Sequence, residues 1–228
     1  MDYFENVNPS LKEYIESVIF VEYSKNDKGH DVEHIKTVIR RSFEFAEQLD
    51  NINWDMVFVV AAFHDVGHHI DAKHHEKVSA QILLQDKKLK DFFSEEQIIT
   101  MAVAVEDHRA SSDEEPRNIY GKIVSSADRT VDLNEPLKRT HQYNLVHCTN
   151  LSIDEQIERA YQHLKEKFGV NGYAVEKSYF EDKDYEKFLI DLRELLADES
   201  EFKDRFCKIN NIQLTNGKLI SKDIETIK

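Results

Sequence analysis

The sequence predicts an all-α protein, a helical bundle with a helical C-terminal extension, on three observations. Six glycines and three prolines punctuate 228 residues, too few turn signals for a many-stranded sandwich or barrel. Apolar residues recur three and four apart through most of the chain, the period of a helix with one buried face. Several of these segments open on a residue able to cap a helix, with a matching partner three positions on.

Asn8, Pro9 and Ser10 open the first helix, whose stripe is Leu11, Tyr14, Ile15, Val18 and Ile19. After the polar turn SKNDKGHD a second helix carries Ile35, Val38, Ile39, Ala46 and Leu49. Asn53 can cap a third, WDMVFVVAAFHDV, apolar on nearly every side and therefore expected at the centre, with Gly67 as its stop. Its β-branched run also suits a buried strand; the closing AAF and the helical neighbours favour helix. HHEKVSAQILLQ forms the fourth helix, and SEEQIITMAVAVEDHR the fifth, with a capping box of Ser94 and Gln97.

Pro116 suits the first turn of a sixth helix, RNIYGKIVSSADRTVD. EPLKRTHQYNLVH follows, then SIDEQIERAYQHLKEKFG with a capping box of Ser152 and Glu155 and a closing Gly169. DKDYEKFLIDLRELLADESEFKDRF supplies one or two more. The length suits a single domain over residues 1–228, with supporting helices from about 151 to 228 that carry few candidate catalytic groups.

With 40% apolar and 32% charged residues the composition is that of a soluble globular chain. A formal charge of −14 disfavours nucleic acid, whose binding needs clustered Lys and Arg. Cys148 and Cys207 fit no zinc-ribbon spacing and are read as two reduced thiols. The first residues, MDYFENVNPSLKEY, lack the pattern of a secretory signal, and no apolar run is long enough to span a bilayer. A cytoplasmic protein with no membrane partner is expected.

Five of the eleven histidines fall within AAFHDVGHHIDAKHHEKVSA, residues 61–80. His64 and Asp65 end the central apolar helix, where burial of an ionisable pair is costly unless something compensates it. A divalent metal would do so. Asp128 shares a stripe with Tyr120, Val124 and Val131, and His34 borders the stripe of its helix. His75 falls in register with Val78 and Ile82, and His108 with Ile98, Met101 and Val105. Imidazole and carboxylate donors without thiolates suit Mn, Fe, Co, Ni or Zn. Against this, a lone histidine on an apolar face is as readily a satisfied core residue. His68, His69 and His74 fall in or near a turn, where solvated histidines are common, and His141, His147 and His163 have no matched partner.

The ordered set His34, His64-Asp65 and Asp128, in the contexts GHDVEHIKTV, AAFHDVGH and IVSSADR, resembles the HD superfamily of metal-dependent phosphohydrolases over about residues 28–133. The resemblance implies an all-helical HD bundle with the site at its centre and these four residues as metal ligands. HHEKVSA and AVEDHR resemble the extra histidine segments of two-metal subfamilies, which would add His75 and His108. One ion or two stays open. The order is similar to that of diadenosine tetraphosphate hydrolases and of cyclic-dinucleotide phosphodiesterases, whose GYP element is missing here. His68 stands where many relatives have lysine; the HDxGH form is similar to deoxynucleotide triphosphohydrolases, whose PFGH segment is absent.

The implied activity is hydrolysis of a phosphoester or phosphoanhydride in a nucleotide or similar small phosphorylated metabolite, through metal-activated water. Asp65 would bridge two metals or orient the water beside one, and His68 or Glu76 would transfer protons. Arg109, Lys73, Lys122 and Arg129 are the nearest cations for phosphate, with Arg109 preferred. The extension offers a cover for the pocket or a surface for a homodimer. Two other readings compete: an HD-fold diiron oxygenase, and a sensor that binds nucleotide or metal without turnover.

Overall fold

The computed structural model describes residues 3–27, 29–109, 114–173, 179–215 and 218–220. Their helices are α1 (Pro9–Tyr14), α2 (Phe20–Glu22), α3 (Val32–Ala46), α4 (Trp54–Phe63), α5 (His75–Gln85), α6 (Glu95–Glu106), α7 (Ile119–Ala127), α8 (Asn134–His147), α9 (Ile153–Phe168), α10 (Lys183–Ala197) and α11 (Glu199–Ile209). The described residues are helical apart from one short antiparallel strand pair, Gln213–Thr215 with Lys218–Ile220, which the composition does not predict. The chain packs as two compact units, Met1–Arg129 with Ser178–Glu181, and Thr130–Lys177 with Asp182–Lys228.

In the first unit α4 is the hub. Every residue from Met56 to Phe63 is buried, so α4 has no polar face to turn to solvent and must be surrounded. It packs on α3, α6 and α7. Fully burying one such Val or Phe side chain stabilises by about 1.5–3 kcal/mol. The Asn53 side chain accepts from the Met56 amide at 3.2 Å and fixes where the helix starts. Phe58 is surrounded completely, and Phe58→Ala would cost about 3–5 kcal/mol through the cavity it leaves.

The capping signals read from sequence are realised. Asn8 accepts from Ser10 and Leu11, and both capping boxes close, Ser94 with Gln97 and Ser152 with Glu155. Asp31 caps α3 by accepting from Glu33 N and His34 N, which pins the first turn of that helix. Three expectations need correction. Gly67 is not the stop of α4, which ends at Phe63 with His64 at its C-cap; the chain passes through turns before reaching Gly67. Pro116 lies ahead of α7, because Asn118 takes the cap by accepting from Gly121 N at 3.0 Å and from no earlier residue. Val18 is exposed rather than on the buried stripe: the wider π turn at Ile15–Ile19 changes the helical phase and keeps Ile15 and Ile19 inside.

The second unit has its own core of Leu137, Ile157, Leu164, Leu192, Phe202 and Phe206. Buried Asn144 is satisfied by donating to Gln156 O at 2.9 Å and accepting from Arg159 at 2.7 Å. Cys148 and Cys207 are free and buried. Among the described residues no helix is long and apolar enough to cross a membrane.

Candidate metal centre

Helix ends of the first unit converge their polar side chains. His34 comes from the first turn of α3, His64 caps the C-terminus of α4 and Asp65 follows it. His75 begins α5, His108 lies two residues past α6, and Asp128 caps α7. Helices end where the chain leaves the apolar core, so these positions carry polar groups to its edge without breaking a stripe.

His34, His64, Asp65 and Asp128 bring ligand atoms together. His34 Nε2 lies 3.1 Å from Asp128 Oδ1 and 3.7 Å from Asp65 Oδ2, and His64 Nε2 lies 3.2 Å from Asp65 Oδ2 and 3.8 Å from Asp128 Oδ1. The other Asp65 oxygen faces a second group, with Oδ1 3.1 Å from His75 Nε2 and 3.5 Å from His108 Nε2. One carboxylate, 2% exposed, therefore looks into two ligand sets.

Proton accounting shows what the sets require. His64 Nδ1 lies 2.8 Å from Ala61 O, His75 Nδ1 3.1 Å from Ala72 O and His108 Nδ1 2.7 Å from Val105 O. A carbonyl only accepts, so each Nδ1 carries a proton, and a ring that holds no second proton presents a bare lone pair at Nε2. The His75 and His108 Nε2 atoms face each other at 3.3 Å, a contact that needs a shared proton or a cation to be favourable. His34 Nε2, His64 Nε2 and Asp65 Oδ1 are buried with no hydrogen bond of acceptable geometry. Buried unpaired polar atoms are costly, and a divalent cation in each set, or extra protons, would relieve them. The nitrogen and oxygen donors fit a borderline divalent ion such as Mn, Fe, Co, Ni or Zn.

Without a bound ion, protons supply part of that compensation: Asp65 and Asp128 overcome burial and raise the His64 pKa well above its usual value. Burial works to raise the Asp65 and Asp128 pKa values, but the neighbouring imidazoles, His64 and His108 for Asp65 and His34 and His64 for Asp128, hold both well below the carboxylate range. Burial lowers the His75 pKa against the pull of Asp65, which keeps the ring in its neutral, ligating form.

Residues that hold the ligands in place were not legible in the sequence. Tyr23, fully buried, donates to Ala62 O at 2.8 Å and accepts from Asp65 N at 3.2 Å. Asn26 Nδ2 donates to Asp65 O at 3.0 Å and to His30 O at 3.1 Å. Arg41, 1% exposed, donates from Nε to Ala127 O at 3.0 Å and secures the end of α7 beside Asp128. Gly67 N donates to Ser79 Oγ at 3.0 Å, tying the turn after Asp65 to α5.

Residues 31–131 match the HD domain family. The chain carries an HD domain. No curated protein and no solved structure gives a match. The HD segment runs from the cap of α3 to just beyond α7 and so contains both ligand sets.

The remaining sequence-selected residues lie as follows. Glu76 is mostly buried, with Oε2 3.4 Å from Arg109 Nη1 and 4.0 Å from His75 Nδ1. Arg109 Nη1 also donates to Lys73 O at 2.9 Å, while Lys73 itself is exposed. Lys122 pairs with Glu115 at 3.0 Å and lies 5.3 Å from the Tyr179 ring, and Arg129 follows Asp128 with its amide donating to Ser126 O at 3.4 Å. Beside Glu76 and Arg109 an open cleft continues over Lys77, Glu106, Asp107, Glu114 and Arg117. His69 and His74 are exposed, as a turn suggests, but His68 is largely covered and its ring lies 5.2 Å from that of His75. His141 packs edge-on against Phe206.

Proposed function

We propose that the HD domain hydrolyses a phosphoester or phosphoanhydride bond in a small phosphorylated metabolite, a nucleotide in the first instance, with two divalent ions sharing Asp65. The observation that carries this is the Asp65 carboxylate, one oxygen toward His34, His64 and Asp128 and the other toward His75 and His108. His34, His64, Asp65 and Asp128 would hold one ion, and Asp65, His75 and His108 the second. Bound there, divalent ions lower the pKa of water and polarise phosphoryl oxygens.

The chain's own residues set the rest. The backbone carbonyls at Ala61, Ala72 and Val105 fix the tautomers that present Nε2. Tyr23 and Asn26 hold the Asp65 backbone, so its carboxylate keeps its aim toward both ligand sets. Arg109, clamped between Lys73 O and Glu76, stands at the cleft beside the second set and is assigned a substrate phosphate. Glu76 is tied to Arg109, which leaves His68 as the better placed of the two for proton transfer. Lys73 and Arg129 are secondary phosphate contacts, and Lys122 is engaged by Glu115. The net charge of −14 does not oppose this, because ions in a pocket make the local field positive inside an acidic shell.

The test is phosphate or nucleotide release from nucleoside mono-, di- and triphosphates, dinucleoside polyphosphates and cyclic dinucleotides with added Mn. Asp65→Ala and His163→Ala run beside the wild type. Turnover lost only in Asp65→Ala supports the reading, and the best substrate assigns the subfamily. No turnover with any substrate, together with oxygen uptake that requires iron, would replace it with the oxygenase.

A further inference from the structure

A third group of titratable side chains lies outside the two ligand sets. His30 Nδ1 is 2.9 Å from Asp27 Oδ1, and His68 Nδ1 is 3.8 Å from Asp27 Oδ2. The two rings stack, with centroids 3.8 Å apart and planes within 20° of parallel. His30 comes from the turn before α3 and His68 from the turn after α4. The pair flanks both ligand sets: the His30 ring lies 5.9 Å from that of His34, and the His68 ring 5.2 Å from that of His75. Their side chains are 24% and 11% exposed, so they meet solvent without being immersed in it. Among the described residues no hydrogen bond engages either Nε2.

By residue type this trio is suited to a cation. The stacking opposes that use. An imidazole binds a metal in its ring plane at about 2.0–2.1 Å, and near-parallel planes 3.8 Å apart send their in-plane lone pairs along lines that do not converge on one ion. The same geometry suits an anion with several oxygens, because two ring edges lie side by side. Asp27 orients His30 through Nδ1 and compensates the charge of that ring as its outer edge donates. His68 Nδ1, 3.8 Å from Asp27, makes no hydrogen bond to it, so the neutral His68 ring is free to carry its proton at Nε2 and donate from there.

We propose that His30 and His68, held as a stacked pair by Asp27, form a contact for a phosphate oxygen of the substrate alongside the metal centre. This rests on the phosphohydrolase reading and adds His30 as a substrate contact and Asp27 as its positioning residue.

The experiment is calorimetric titration of the Mn-loaded full chain with inorganic phosphate, with Mn counted in the same samples. Loss of one hydrogen bond to a charged group predicts phosphate binding about ten- to a hundredfold weaker in His30→Ala. Asp27 is 59% exposed, so Asp27→Asn tests the pair without disturbing a core, and about two- to fivefold weaker binding is expected. His30→Gln, which restores a donor, recovers part of the loss, and all three variants keep the wild-type Mn content. Phosphate affinity equal to wild type in both His30→Ala and Asp27→Asn would overturn the pair alone. Loss of a Mn equivalent in His30→Ala would overturn it in favour of a cation site. A wild type that holds Mn but not phosphate would also overturn it, and one that holds no Mn would overturn the hydrolase reading with it.

Discussion

A methyl group added at Gly67 would sit 2.7 Å from Val78 Cγ1 and 2.9 Å from both Val78 Cβ and Ser79 N. Ser79 N belongs to the α5 backbone and cannot rotate aside, so Gly67→Ala must push the turn after Asp65 away from α5. The requirement is for space, since the contact is with the neighbouring helix. Overpacking of this kind costs about 1–3 kcal/mol. The same displacement stretches the Gly67 N to Ser79 Oγ hydrogen bond, and a buried donor left unpaired costs about 1–3 kcal/mol more. The expected loss is about 2–6 kcal/mol, which moves a urea midpoint down by about 1–3 M at a slope of about 2 kcal/mol/M. Because α5 begins with His75, the displacement reaches the second ligand set first. Urea unfolding followed by circular dichroism, with chelator present, measures the first effect, and Mn titration measures the second. An unchanged midpoint with both ions held at wild-type affinity would refute the close-packing argument.

Tyr23→Phe removes the partner of the buried Asp65 amide and is expected to destabilise by about 1–3 kcal/mol with little loss of helix, read by the same urea assay. Arg109→Ala is expected to raise KM about tenfold, with Arg109→Lys failing to restore it if the contact is bidentate; steady-state kinetics on the best panel substrate checks this. In chelator-treated protein, burial lowers the His64 pKa but Asp65 and Asp128 overcome it and hold it well above the usual value. That contribution to stability is full below the unfolded-state value of about 6.5 and is lost as pH rises through the higher native value. Metal takes the place of that proton, so the loaded protein is expected to gain stability as pH rises over the same range. Thermal unfolding with chelator and with Mn would show opposite slopes; parallel slopes would count against the site.

How much of this was legible in the sequence depended on how local each signal is. The capping pairs and the uniformly apolar α4 are local, and they read correctly. His34, His64, Asp65 and Asp128 were legible because each is a polar residue at the border of an apolar stripe and their order resembles a known family; the structure adds that they meet. Arg41 was invisible, since an arginine in the pair Arg40-Arg41 reads as a solvated face and only the approach of α7 turns it into a buried donor. Asp27 and His30 were hidden in a polar turn, and the stacking on His68 joins segments far apart in the chain. The strand pair Gln213–Thr215 with Lys218–Ile220 was not legible, because three-residue strands carry little pattern and the helical composition of the rest dominates.

Metal content measured by elemental analysis on the wild type, His75→Ala and Asp65→Ala, with helical content checked on the same samples, tests the shared-carboxylate centre most directly. The account predicts two equivalents for the wild type, one for His75→Ala and none tightly held for Asp65→Ala, with helical content nearly unchanged in all three. Two equivalents retained by a folded Asp65→Ala protein would contradict it.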